Sequence, residues 1–389
     1  MKIHGTLRSP IRVLIASGIF HPDIGGPATY LHSLLPALQE RGYAFHVLTY
    51  GDAPSDGYGY PVERISFKHG MLRRRRLYAR RYAELAAQSD LIYVNALGLP
   101  RPRVAKPLVL KIVGDYAWER ALHRRWIAPD TDLDAFQKRL DLPHVEWFKA
   151  RRAREARDAD KIIVPSEHLR RLVIGWRVPP ERVQVIYNAL EPNLSAPAQT
   201  QAQARVALGW QPEGRYLLYV GRLIALKGVQ YLIQALDSLP EVTLVVAGEG
   251  DYLPRLRALA ERCNVAARVR FLGKVPHAQV PLLMRAADYL ALYSSTEGLS
   301  HTLLEALRVG TPVIASARGG NLEVVRHGVN GLLVPHPDLS ALRSALGYAF
   351  SDGVRDALAA GSAVGMARFS WQTLLDQTDA ALRALLERR

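Results

Sequence analysis

Short apolar runs alternate with amphipathic stretches along the whole chain, and that alternation predicts parallel strands joined by crossover helices. In the first half the apolar runs fall at residues 11–17, 45–49, 91–95, 108–113, 161–165 and 183–187. Helical periodicity occupies 28–41, 77–88 and a long basic stretch, 136–158. A polar passage rich in Ala, Pro and Gln at 191–203 reads as a linker. The rhythm then restarts, with strands over 216–220, 243–247, 268–271, 289–292, 311–315 and 331–334. Helices are expected over 228–239, 252–263, 277–286, 302–309 and 322–327. A last amphipathic stretch from residue 371 is expected to pack back on the first half. The pattern therefore predicts two doubly wound α/β domains, 1–195 with 371–389, and 196–370. Ligands of such sheets bind outside the carboxyl ends of the strands, so the expected site is a cleft between two facing domains.

Composition narrows the setting. A chain of 389 residues, 49% hydrophobic and 22% charged, has the size and balance of a two-domain globular protein. Cys263 is the only cysteine, so no internal disulfide forms and a reducing, cytoplasmic setting is expected, with Cys263 an inert packed thiol. The apolar run at 11–20 leads into His21-Pro22-Asp23 instead of a small-residue cleavage site, so it reads as a buried strand and not a signal peptide. No apolar stretch reaches the roughly 18 residues a membrane span needs.

Charge is uneven. Residues 1–195 hold 31 Lys/Arg against 20 Asp/Glu, which places most of the net charge of +15 in the first half. Arg73, Arg74, Arg75, Arg76, Arg80 and Arg81 form one run, and Lys149, Arg151, Arg152, Arg154 and Arg157 another. Such runs are either solvated faces or attractors of anionic lipid and acidic polymers. With Leu72, Leu77, Tyr78 and Tyr82 beside it, the first run suits an anionic membrane carrying a lipid-linked acceptor, at the inner face of the plasma membrane. An acidic glycan is the other candidate. No groove-reading or base-stacking motif points to nucleic acid.

The richest chemistry lies in Glu297-Gly298-Leu299-Ser300-His301-Thr302-Leu303-Leu304-Glu305. A helix is expected to begin inside it, leaving one acid on the loop and the other about two turns in. A helix N-terminus offers unpaired N–H donors and partial positive charge to a phosphate, while carboxylates accept hydrogen bonds from hydroxyls. Together they suit a ligand with polyol and phosphate parts, a nucleotide sugar. Upstream, Gly221-Arg222 and Lys227-Gly228 bracket a loop at a strand's carboxyl end, where guanidinium and ammonium would clamp a diphosphate. Gly25 and Gly26 open the first helix and offer backbone N–H groups to an anion, although a plain turn explains them equally well. Gly319 and Gly320 are a candidate ligand edge. Asp130, Asp132 and Asp134 form Asp-x-Asp patterns, weak metal signals that read first as a helix start. No metal or other cofactor is expected.

These motifs resemble the family-4 retaining glycosyltransferases of the GT-B fold. The resemblance is strongest through Glu297 to Glu305 and on into Gly310-Thr311-Pro312-Val313-Ile314-Ala315, and extends to Gly221-Arg222, Lys227-Gly228 and His21-Pro22-Asp23-Ile24-Gly25-Gly26. It implies that Glu305 holds the ribose hydroxyls, Glu297 the donor sugar, Arg222 and Lys227 the diphosphate. The loop at 272–275, Val275 included, would border the base. Gly298, Ser300, His301 and Thr302 complete the expected donor contacts. Many members place a His where this chain has Gly114, and Asp115 is the expected substitute. Without a visible opposite-face nucleophile, a front-face transfer needing no metal is expected. A nucleotide-sugar epimerase or a non-catalytic sugar-nucleotide binder are the competing classes.

Overall fold

The alternation of apolar and amphipathic segments forms two all-parallel sheets, one in each half of the chain. The computed structural model describes residues 9–23, 25–128, 131–190 and 196–387. The chain divides into a first unit, Met1–Ile186 with Gln372–Arg389, and a second, Tyr187–Trp371.

In the first unit the elements are β1 Ile11–Ala16, α1 Gly26–Gln39, β2 Tyr43–Tyr50, β3 Val62–Ile65, α2 Met71–Ala87, β4 Leu91–Val94 and β5 Leu108–Lys111. They continue with α3 Tyr116–His123, α4 Leu133–Lys138, α5 Pro143–Arg157, β6 Lys161–Val164, α6 Glu167–Gly175 and β7 Val183–Val185. Sheet order is β3-β2-β1-β4-β5-β6-β7. Val13, Leu14, Ile15 and Ala16 are buried in β1, as a central strand covered on both faces requires. The C-terminal helix, Trp371–Glu387, joins this unit through polar ties to the turn before β2. Arg41 pairs with Asp376 at 2.7 Å, and the Tyr43 hydroxyl donates to Asp379 at 2.7 Å.

The helix expected over 136–158 is two helices. Pro143 cannot continue α4, and Arg139 and Leu142 turn extended before Pro143 restarts the chain at the first position of α5. The short edge strand β3 and helices α3 and α6 were outside the sequence reading, each too brief to show a period.

The second unit contains α7 Gln201–Ala207, β8 Arg215–Val220, α8 Val229–Ala235, β9 Val242–Ala247, α9 Leu253–Arg262, β10 Val269–Gly273 and α10 Val280–Ala286. It goes on with β11 Tyr289–Leu292, α11 His301–Val309, β12 Val313–Ser316, α12 Asn321–Val324, β13 Gly331–Val334, α13 Leu339–Ala349 and α14 Val354–Ala360. Its order, β10-β9-β8-β11-β12-β13, repeats the winding of the first. The division after Ile186 precedes the polar passage because Tyr187 already packs inside the second unit, 5.2 Å from the Phe369 ring and donating to Glu323 at 3.0 Å. Part of the expected linker, 191–195, lies outside the described residues, and its far end is helix, α7, capped by Thr200 and Gln203.

Candidate functional site

Strand order in the second sheet reverses between β8 and β11, and loops leaving the carboxyl ends at such a point flank a crevice. Those two loops carry the predicted cations and acids, and they are fastened together. The Ser295 N–H donates to the Leu226 carbonyl at 2.9 Å. Gly228, at φ 74°, lies so close beneath the Tyr293 carbonyl that a Cβ would run into it. Lys227 Nζ thereby reaches Glu297 Oε1 at 2.6 Å, although the two are 70 residues apart. An ammonium has three donors, so two remain for another anion. Gly319 and Gly320 are buried behind this acid, with the Gly320 N–H donating to the Glu297 carbonyl at 2.8 Å. A Cβ on either glycine would strike the Glu297–Gly298 backbone. They are a buttress for Glu297 and not a ligand edge.

Arg222 is exposed, and its guanidinium has no hydrogen-bond partner among the described residues. Its backbone is pinned: the Tyr219 hydroxyl donates to the Arg222 carbonyl at 2.8 Å, and Leu223 N–H donates to Glu249 at 2.8 Å. Burial first, then the Glu297 carboxylate, push the Tyr219 hydroxyl pKa far up against the opposing pull of Arg222, so it stays a donor.

Ser300 caps α11, its hydroxyl accepting from Leu303 N–H at 3.3 Å, and His301 and Thr302 form the first turn beside Gly298. Because the helix starts at His301, Glu305 stands just over one turn inside, not two. Glu305 Oε1 lies 3.3 Å from His277 Nε2. That contact brings the loop holding half-buried Val275 beside α11. Sequence reasoning missed His277, since helical periodicity had absorbed it into the following helix.

In the first unit the expectation for Asp115 is corrected. Its side chain is fully buried and caps α3, accepting from Ala117 and Trp118 N–H at 3.0 and 3.3 Å. The other oxygen pairs with Arg152 and accepts from Gln137 at 3.0 Å. No lone pair is left for a substrate, so Asp115 holds α3, Gln137 and Arg152 in place. Gly25 and Gly26 begin α1, where the Gly25 carbonyl accepts from Ala28 at 3.0 Å and open space lies beside Gly26. Asp132 caps α4 by accepting from Ala135 at 3.0 Å, which is the helix-start reading, while Asp130 lies outside the described residues. Among the described residues no group of three or more His, Cys, Asp or Glu is placed to hold a metal ion.

The basic runs are sorted by their partners. Arg80 and Arg81 are turned to Glu84 and Glu63, leaving Arg73 to Arg76 on the first turns of α2 beside exposed Phe67, Met71 and Leu72. On α5, Arg152 is buried against Asp115, Lys149 is held by Asp141 at 2.9 Å and Glu146 at 2.8 Å, and Arg157 donates to the Trp176 carbonyl at 3.0 Å. Most of that run is scaffold. No described helix is long and apolar enough to cross a membrane.

Comparison with known proteins places these loops in context. Residues 200–360 match the sequence model "Glycosyl transferases group 1" and residues 24–194 match "Glycosyltransferase Family 4". An uncharacterised glycosyltransferase of Methanocaldococcus jannaschii is 30% identical over 227 residues, 56% of this chain and 58% of that protein, under two thirds of its length. A D-inositol 3-phosphate glycosyltransferase of Mycobacterium marinum is 29% identical over 337 residues, 84% of this chain and 69% of that protein. Among solved structures, sucrose-phosphate synthase from Thermosynechococcus elongatus is similar with a TM-score of 0.81 and 22% identity, covering 97% of this chain and 100% of that one. HepE of Anabaena, solved with UDP and glucose, gives 0.75 at 24% identity, covering 96% and 100%. These structural likenesses are of fold, the GT-B arrangement of two parallel α/β sheets.

Proposed function

We propose that this chain, which belongs to the group 1 and family 4 glycosyltransferases, moves a sugar from a UDP- or GDP-linked donor to a glycan or lipid-linked acceptor. The observation that carries the donor assignment is the pairing of Lys227 with Glu297 at the reversal point of the second sheet, capped by the start of α11. In this reading the diphosphate takes the two free donors of Lys227, the Arg222 fork and the N–H groups at Ser300 to Thr302. Glu297 accepts from sugar hydroxyls, and Glu305 accepts from the ribose. UDP in the HepE structure, which shares the fold, is the reason UDP-sugars head the screen.

Cleaving the bond between the anomeric carbon and the diphosphate leaves positive charge on the ring and negative charge on the departing oxygen. Preorganised donors at that oxygen lower the barrier, each typically by about 3 to 4 kcal/mol. Arg222, Lys227 and the α11 terminus supply them. Retention follows if the incoming hydroxyl attacks from the face the diphosphate leaves, giving its proton to the departing phosphate oxygen. The chemistry assigns no step to a metal ion.

The test is a thermal-shift screen with UDP-, GDP- and ADP-sugars, followed by product analysis with and without chelator. One donor is expected to raise Tm, and Lys227→Met is expected to abolish that rise and lower transfer about a hundredfold or more. Undiminished donor binding in Lys227→Met would overturn the assignment. Activity lost in chelator would remove the metal-free mechanism alone.

A further inference from the structure

We propose that the first unit carries a second binding groove, between α2 and α5, built for an anionic oligosaccharide chain. A cavity of about 500 Å³ opens there, floored by Tyr82 of α2 and by Ile92 and Leu108 of the sheet, and walled by the loop from Leu99 to Lys106. A second hollow of about 300 Å³ adjoins it around Trp147, Arg151 and Arg154, sharing Arg151 and Glu155 with the first. The line from Trp147 on α5 to Asp158, just past its last turn, gives the groove a length of roughly 16 Å.

The wall is a fixed structure. Pro100 and Pro102 stiffen it, and three contacts tie the loop to α5: Gly98 N–H to Glu155 Oε2 at 2.7 Å, Arg101 to the Glu155 carbonyl at 2.5 Å, and Arg103 to Asp158 at 2.8 Å. A loop anchored this way leaves a preformed hollow beneath it, so a ligand need not order the loop on binding.

The charges favour an anion. Two of the three carboxylates at the groove are neutralised, Glu155 by Arg151 and Asp158 by Arg103, while Asp160 accepts from the Leu108 N–H at 2.8 Å and keeps its charge. Arg154 has no ion-pair partner among the described residues, Lys106 makes no close pair although Asp90 feels its charge, and Arg101 donates to a neutral carbonyl that leaves its charge uncompensated, so three cations face the single unpaired Asp160. Tyr82 is 2% exposed and lines the cavity, and its hydroxyl has no hydrogen-bond partner among the described residues. Burial raises that hydroxyl's pKa to about 12 against the nearby Arg101, so it stays protonated and can donate to a ligand in the cavity. At the far end the Trp147 ring is half exposed, with Arg151 5.6 Å from its centroid. A flat aromatic face beside cations suits a ring that is apolar on one side and acidic at its substituents. Uronate or phosphate groups on sugars have that chemistry. The preference for anions stands on the groove alone; the choice of a sugar to carry them rests on the glycosyl-transfer reading.

The experiment titrates the whole protein with a trigalacturonate and, separately, with maltotriose, by calorimetry at low and high salt. The acidic trisaccharide is expected to saturate, to bind about tenfold more weakly in Lys106→Ser/Arg154→Ser and in Tyr82→Phe, and to lose affinity with salt. Maltotriose is expected not to saturate. The donor-induced Tm shift, read in the same variants, is expected to be unchanged, which separates this groove from the donor loops. Equal binding of the two sugars, or acidic-sugar affinity untouched in both variants, would overturn the proposal. So would anionic vesicles binding through these residues while the trisaccharide does not.

Discussion

Lys111 closes β5 with its side chain sealed inside the first unit, its ammonium 3.8 Å from the Tyr30 ring centroid. Burial lowers its pKa from 10.5 to about 7. Between those two values the unfolded chain binds a proton that the folded chain does not, so stability climbs as pH rises across that window. Below about 7 the folded protein carries a buried charge and this group's contribution is at its least favourable. Lys111→Met is expected to raise stability by about 2 kcal/mol near pH 6 and to flatten the climb toward pH 9. Chemical denaturation at the two pH values measures both, and an unaltered slope would refute the account. Asp115 is the opposite case. Asp115→Asn leaves Arg152 buried with a weakened partner and is expected to cost about 2 to 3 kcal/mol, while donor binding stays at the parent level. Loss of donor binding without loss of stability would restore Asp115 as a ligand contact.

At the scale of single elements, α2 and α11 differ in how much of their work shows in the sequence. The start of α11 was legible because Ser300 and the glycine before it are cap and turn chemistry, and a short apolar period follows. What stayed hidden was the partner from another strand: nothing local in Gly221 to Gly228 says that Lys227 will meet Glu297, because tertiary pairing sets that contact. The same blindness made the arginines of α2 and α5 look alike. In the folded chain Arg73 to Arg76 remain on the first turns of α2 with Met71 and Leu72 67% and 69% exposed, while α5 directs its cations other than Arg154 inward or along the helix. Apolar tips beside a cationic turn suit an anionic lipid surface. Replacing Arg73 to Arg76 with Ser is expected to lower co-sedimentation with phosphatidylglycerol vesicles about tenfold or more, at roughly 1 kcal/mol per cation. A parent protein that ignores such vesicles removes the membrane from the account.

Over the whole molecule, the two-sheet architecture was readable because buried parallel strands are continuous apolar runs, as in Val13 to Ala16 and Val313 to Ala315. The boundary was less so: the composition shifts at the polar passage, but Tyr187 belongs to the second unit by its contacts with Phe369 and Glu323. The second unit is one unbroken stretch, Tyr187–Trp371, holding Arg222, Lys227, Glu297 and Glu305 together. A fragment of that stretch is expected to fold and to keep the nucleotide-sugar Tm shift. A fragment ending at Ile186 is expected to melt lower until the C-terminal helix is added back as a peptide. Failure of the first fragment to bind would show that donor recognition needs groups outside the second unit.

The tie of Asp376 and Asp379 to Arg41 and Tyr43 also orders events during synthesis. As the nascent polypeptide leaves the ribosome, the first unit must wait for the helix that follows Trp371, while the second unit, Tyr187–Trp371, emerges as one stretch and closes its own sheet. The first unit is thus finished after the second, although most of it is translated before. A premature stop between Trp371 and Asp376 would strip that seal from the first unit and spare the second.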